Sequence, residues 1–193
     1  MMSFKKYLKS VALVALAAIV SVSALMFTGC SAGAGQGAKH DKSEAMSYMA
    51  TVNLYTTQVE EQTKVLNTAL SEKDLASAAV ALQDMKAAYG EIKEINVPDE
   101  NKKLTAIHEQ YALGATSAIT ALSAYEDLLT LMQEFETVNS KDSAELVNQA
   151  KNARDEAATA FLEGDKLAHE AFDIEGTSGK TQLNELMDLF NGK

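Results

Sequence analysis

The residues best suited to chemistry in this chain are two histidines, each followed by a glutamate. His108-Glu109 and His169-Glu170 both lie in stretches with helical spacing. If those helices fold about a turn near residues 139–140, both histidines lie about thirty residues from the turn and at nearly the same height. The same argument about the other turns predicts a polar and aromatic layer, and its members are Tyr55, Tyr89, Tyr111, His108 and His169.

Three roles are open to this predicted layer. Imidazoles and carboxylates that converge between helices bind metals in some bundles, and residues between helices also line pockets for small ligands. Di-iron bundles use Glu-x-x-His, however, and the positions three before the two histidines hold Thr105 and Lys166, which supply no carboxylate. His169 also lies one position off the apolar seam and can face water. We therefore expect a structural layer, with a ligand pocket or a metal site as alternatives, and predict no metal or other cofactor.

No other motif in the sequence predicts a catalytic site. The segment GTSGKT (Gly176–Thr181) lacks the first glycine of a phosphate-binding loop, because Ile174 stands five positions before Gly179. The paired Glu60 and Glu61 fall on a solvated helix face. The single cysteine rules out a C-x-x-C-H haem attachment, and the sequence has no glycine-framed nucleophile. We predict that the protein is not an enzyme.

That single cysteine, Cys30, follows a sequence typical of an export signal. Three lysines within the first nine residues precede an apolar run over residues 11–27, which is the order of regions in a signal peptide. The residues FTGC that end at Cys30 resemble the lipobox of bacterial lipoproteins, although that pattern prefers Leu where this chain has Phe27. The resemblance implies a signal peptide over residues 1–29 and a diacylated Cys30 as the mature N-terminus, anchored in the membrane by its lipid. An uncleaved membrane anchor is the alternative.

The residues after Cys30 predict a flexible tether. Ser31–Lys42, SAGAGQGAKHDK, contains no large apolar side chain, so residues 30–42 are interpreted as the lipidated cysteine and its tether. Removal of residues 1–29 takes three of the 17 basic residues, which leaves 14 against 27 acidic ones and a net charge of −13. Because such a domain repels nucleic acid and attracts cations, we predict no nucleic-acid partner.

Residues 43–193 have the pattern of an all-α domain. Their apolar residues recur at alternating steps of three and four, and the fourth stretch is rich in alanine and glycine, which predicts close approach to its neighbours. Short polar joints near residues 71–74 and 139–140, together with Pro98, predict an up-down-up-down antiparallel four-helix bundle. A short terminal helix over Thr181–Phe190 follows. Seam positions predicted to be buried include Met49, Val52, Val59, Leu66, Leu82, Met85, Leu122 and Phe161.

Two segments in the second half of the domain carry a family resemblance. In EINVPDENKKLTAIHEQYALGATSAITAL, Pro98 precedes a long helical stretch that contains His108, and a polar loop around Ser140 leads into SKDSAELVNQAKNARDEAATAF. This order resembles a group of small, uncharacterised lipoproteins of Gram-positive bacteria. The resemblance implies a helical bundle at the cell surface and brings with it no activity and no site residues.

Two functions follow from these observations. We expect a membrane-anchored extracytoplasmic lipoprotein whose helical bundle is a binding or structural module of the cell envelope, with an unknown protein or small-molecule partner. The alternative is a receptor that binds a metal or a small ligand in the histidine and tyrosine layer. A filled core would favour the module, whereas a cavity lined by the layer would favour the receptor.

Overall fold

A computed structural model describes residues 36–134 and 140–176 of the chain. The predicted signal peptide, Cys30 and the terminal helix predicted over Thr181–Phe190 lie outside these residues. The described residues form four helices in chain order: α1 Gln36–Ser71, α2 Leu75–Lys93, α3 Lys102–Glu134 and α4 Ser140–Phe172.

The described residues form an all-α bundle. All four elements are α-helices, and no strand occurs in the two described ranges. α3 lies in the middle of the packing, because it packs closely against both α2 and α4. The predicted all-α class and four-helix bundle are therefore confirmed. Within the same two ranges, no helix combines the length and the apolar character that crossing a bilayer requires.

α3 and α4 run in opposite directions. Lys103 near the start of α3 lies over the ring of Phe172 at the end of α4, with Nζ 5.9 Å from the ring centroid. Further along α3, Tyr111 donates a hydrogen bond to Asp165. Residue numbers therefore rise along α3 as they fall along α4, which defines an antiparallel pair.

α1 and α3 run in the same direction. The side-chain amide of Asn101 donates a hydrogen bond to Glu44 at 3.1 Å, and the Tyr48 hydroxyl lies 3.2 Å from Nδ1 of His108. Residue numbers rise together along the two helices, which defines a parallel pair. These are the directions that the predicted up-down-up-down order requires of these pairs.

The core follows the predicted seams. Each helix contributes residues that are fully buried, and burial of a leucine- or methionine-sized side chain contributes about 1.5–3 kcal/mol. The alanine and glycine seam of α4 is also buried, which accounts for its close approach to α3. The predicted positions that are fully buried are Val52, Val59, Leu66, Leu82, Met85, Leu122 and Phe161.

α1 buries a wider face than the single seam predicted for it. Ala45, Tyr48 and Tyr55 are buried beside that seam, and with Val52 and Val59 they form a second column at steps of three and four. α1 reaches α2 through the Tyr55 hydroxyl and α3 through the Tyr48 hydroxyl. A helix that contacts two neighbours needs a broader apolar face than a helix that contacts one.

α1 also begins inside the segment predicted as a tether. Gln36–Lys42 is helical, so the tether predicted over residues 30–42 is corrected at its C-terminal end, and the helical domain extends back beyond residue 43. Alanine, lysine and glutamine in this stretch have high helix propensity. The pair of His40 and Glu44, 3.2 Å apart at positions i and i+4, crosses the predicted boundary and supports the first turns.

Two side chains cap the helices that follow the joints. The Asp74 carboxylate accepts a hydrogen bond from the backbone N–H of Ser77 at 3.1 Å, and Oδ1 of Asn101 accepts one from the backbone N–H of Leu104 at 3.1 Å. Both satisfy an amide that has no partner within its own helix. Asn101 is only 6 % exposed, and its amide also bonds Glu44, so the start of α3 is joined to α1.

Replacing Leu122 by alanine should lower the free energy of unfolding by about 2–5 kcal/mol, because the side chain is fully buried in α3 and its truncation leaves a cavity. Leu113 lies in the same helix and is 55 % exposed, so Leu113→Ala is the matched control and should cost about 0.5 kcal/mol or less. Urea unfolding followed by circular dichroism measures both. Equal losses in the two variants would contradict the packing of α3.

Candidate functional site

Four aromatic rings, one from each helix, form a continuous chain through the bundle core. Tyr48 of α1 contacts Tyr111 of α3 with ring centroids 6.0 Å apart, and Tyr111 contacts Phe161 of α4 at 5.8 Å. Phe161 in turn stacks on Tyr89 of α2 at 6.0 Å. Ring pairs at these separations each add about 0.5–1.5 kcal/mol beyond the area that they bury. This ring chain therefore joins all four helices.

Two glycines make room for the central rings of the chain. A Cβ atom at Gly164 of α4 would lie 3.0 Å from the ring of Tyr111, and a Cβ atom at Gly114 of α3 would lie 3.0 Å from the ring of Phe161. Each ring thus packs against the backbone of the opposite helix. The two glycines allow α3 and α4 to approach closely, since a side chain at either position would crowd the ring.

Polar groups sit at two places on the ring chain. The Tyr111 hydroxyl donates to the carboxylate of Asp165 on α4. The Tyr48 hydroxyl lies 3.2 Å from Nδ1 of His108 on α3, and the tautomer of His108 decides which group donates. Burial lowers the pKa of His108 below its ordinary value because it disfavours the imidazolium, an effect that the nearby charge of Glu109 partly opposes.

Tyr89 differs from Tyr48 and Tyr111, the other two tyrosines of the ring chain, in the hydrogen bonding of its hydroxyl. Its ring is fully buried, and its hydroxyl has no hydrogen-bond partner among the residues that the structure describes. Burial raises the pKa of this hydroxyl, because the phenolate would be stranded in apolar surroundings. A buried hydroxyl without a partner costs about 1–3 kcal/mol. The phenol of Tyr89 therefore carries an unsatisfied donor in the middle of the core.

The structure brings three residues of the predicted layer into one cluster. Tyr111 and Tyr89 belong to the ring chain, and His108 adjoins it through Tyr48. The ring of Tyr48 meets that of His108 edge to face, with centroids 5.7 Å apart. The predicted height of these three residues therefore corresponds to a real layer of contacts.

The other two predicted residues have different surroundings. Tyr55 is buried on α1 and donates to Glu91 of α2 at 3.4 Å. The side chain of His169 is 68 % exposed, and its Nδ1 lies 4.0 Å from Asp173, which is also exposed. His169 therefore faces solvent, as its place beside the apolar seam of α4 suggests.

Three members of the cluster were missing from the predicted layer. Phe161 was predicted to be buried but not assigned to the layer. Tyr48 lies in the second apolar column of α1, and that column at steps of three and four is the signal that could have identified it. Asp165 follows Gly164 on the seam of α4, so a carboxylate next to a buried position was the available signal for a bond to a tyrosine.

The contacts within the cluster are those of packed side chains. Its rings contact one another in series, and its polar side chains form two separate pairs, Tyr48 with His108 and Tyr111 with Asp165. In the part of the chain that the structure describes, no group of three metal-ligating side chains includes His108 or His169. Two surface grooves lie along α3 and α4, and neither is lined by a residue of the predicted layer.

No known protein family, curated protein or solved structure was found to match this chain. The resemblance to Gram-positive lipoproteins therefore stays a prediction.

Replacing Tyr89 by phenylalanine should raise the free energy of unfolding by about 1–3 kcal/mol, because it removes a buried hydroxyl that lacks a partner and keeps the ring contact with Phe161. Tyr111→Phe is the matched control and should lower the free energy of unfolding, since it breaks the bond to Asp165. Urea unfolding measures both. A loss in Tyr89→Phe equal to that in the control would mean that this hydroxyl is hydrogen-bonded after all.

Acidification should cost the wild-type chain more stability than it costs the His108→Gln variant. The pKa of His108 is lowered in the folded state, so the unfolded chain takes up the proton first. The contribution of this group is complete above the unfolded-state pKa of about 6.5 and is lost as the pH falls from that value through the lower pKa of the folded state. Free energies of unfolding at about pH 7.5 and about pH 5.5 measure the difference.

His169→Gln is the control for this pH experiment, because the His169 side chain is exposed. It should follow the wild-type chain on acidification. The assignment to His108 is wrong if both histidine variants reduce the pH dependence equally.

Proposed function

We propose that this chain is a membrane-anchored extracytoplasmic lipoprotein whose helical bundle acts as a binding or structural module of the cell envelope. The lipid on Cys30 would hold the module at the membrane. We assign no catalytic activity and no cofactor to the bundle. The partner of the bundle is a protein or a small molecule outside the membrane.

The buried, mutually packed ring chain is the observation that supports a module rather than a receptor. A receptor that uses the predicted layer needs an opening between the helices at that height. Tyr89, Tyr111 and Phe161 are fully buried there, and the ring of Phe161 contacts both tyrosine rings. Such an interior supports a module that meets its partner with its outer surface.

The start of α1 supports action close to the membrane. Gln36, the first residue of α1, lies only six positions after Cys30 in the sequence. At no more than about 3.5 Å per residue, that length of chain reaches about 20 Å. With a net charge of −13 after removal of residues 1–29, the bundle would be repelled by anionic headgroups and would not lie flat on them. A short anchor and an acidic domain together favour a module that projects from the surface.

Replacing Cys30 by alanine should abolish incorporation of a labelled fatty acid and leave residues 1–29 attached, because the thiol is the predicted acylation point. Ser31→Ala, at the neighbouring position, is the matched control and should still be labelled and cleaved. Metabolic labelling and the mass of the purified chain measure both outcomes. Labelling and cleavage at this position in Cys30→Ala would contradict the anchoring.

A second measurement on the wild-type chain, purified from its own cells, distinguishes the module from the receptor. Native mass spectrometry should give the mass of the lipidated chain without a bound small molecule in the core. A bound metal or organic ligand that is lost on replacement of His108 would instead favour the receptor that uses the predicted layer.

A further inference from the structure

We propose that His40, Asp41 and Glu44 form a binding site for one divalent transition-metal cation on α1. Each of the three side chains offers a ligand atom, and these atoms all lie within 4.8 Å of one another. Nδ1 of His40 and Oε1 of Glu44 lie 3.2 Å apart. None of the three residues belongs to the ring chain or to the predicted layer.

The helix backbone sets this arrangement. Residues at positions i and i+4 lie on one face of a helix, one turn apart, so His40 and Glu44 face the same point. Asp41 follows His40 directly and is half-buried beside it. An imidazole nitrogen with two carboxylate oxygens is a donor set that suits zinc, manganese, iron or cobalt. Three protein ligands leave further coordination positions for water.

Asn101 holds one of the three ligands in place. Its side-chain amide donates to Oε2 of Glu44 at 3.1 Å, which leaves Oε1 for His40 or for a cation. Asn101 is itself buried and fixed, because its Oδ1 caps α3 through the N–H of Leu104. Hydrogen bonds of this kind orient a metal ligand before the metal arrives.

The sequence contains a second histidine and two carboxylates at the same spacing, but the local structure does not bring them together as a metal site. His169, Glu170 and Asp173 repeat the spacing of the three proposed ligands. Asp173 lies beyond the last residue of α4 with a φ of 53°, so its carboxylate leaves the helical face and stays 4.0 Å from His169. In the described part of the chain this second triad does not form a metal-ligating group. The chain thus carries its own control.

Charge favours a cation at this place on the bundle. The two carboxylates belong to a domain with 27 acidic residues against 14 basic ones after residues 1–29 are removed. His40 lies beyond the first turn of α1, where the positive end of the helix dipole has largely faded. The His40 side chain is 72 % exposed, so a cation can enter and leave without opening the bundle. The site is independent of anchoring through Cys30.

Isothermal titration calorimetry with zinc tests the site on the full chain in detergent, without a polyhistidine tag. Cys30→Ala serves as the background, because the only thiol of the chain would itself ligate zinc. This background should bind one zinc ion. His40→Ala and Asp41→Asn should each weaken binding by about tenfold or more, whereas His169→Ala should bind as the background does.

Asn101→Ser separates ligand positioning from folding. Serine can still cap α3, but it removes the amide that bonds Glu44, so zinc binding should weaken while circular dichroism shows an intact bundle. The proposal is overturned if the Cys30→Ala background binds no zinc, or if His40→Ala binds it as tightly. It is equally overturned if His169→Ala weakens binding as much as His40→Ala does.

Discussion

The contact between the rings of Tyr111 and Phe161 is the interaction on which the rest of the bundle depends. Each ring packs over a glycine of the opposite helix, so α3 and α4 approach closely, with the two rings interleaved between them. Tyr111 also contacts Tyr48 of α1 at an angle, and Phe161 stacks on Tyr89 of α2. Because each helix contributes a single ring, no helix can shift along the bundle without breaking a contact with its neighbour.

This arrangement bears on where a partner binds. Beside the ring chain, Tyr48 pairs with His108 and Tyr111 with Asp165, whereas the hydroxyl of Tyr89 has no partner among the described residues. Under the proposed function, a partner meets the outer surface of this acidic domain, and the proposed metal site lies on the first turns of α1. There, His40 and Glu44 lie in reach of solvent and of each other. A packed core, with the metal-ligating side chains of His40 and Glu44 accessible near the start of α1, is consistent with the proposed module held near a membrane.

The heptad-like seams were predictable because burial along one stripe leaves a direct trace in the sequence, as Leu82 and Leu122 show. Height along the bundle was predictable too, since it follows from counting residues from a turn. The direction in which a side chain points around its helix was harder to predict from the sequence. His169 has the height of the layer but points to solvent. The bond between Asn101 and Glu44 joins positions 57 residues apart, and no local pattern reports such a contact. The glycines near Gln36 led to the prediction of a tether, but the residues around them have high helix propensity, and α1 begins at Gln36.

Asn101 connects the start of α3 to α1. Its side chain uses Oδ1 to hold the N–H of Leu104 and its amide to hold Glu44, so a single residue closes the first turn of α3 and secures the early part of α1. Fraying of α1 would remove the Glu44 carboxylate that holds the amide of Asn101, and the cap on the N–H of Leu104 would then be held less firmly. We therefore expect opening at the start of α1 to promote opening at the start of α3. The rate at which the Leu104 amide proton exchanges with solvent is then a reading of events on α1, a helix to which Leu104 does not belong.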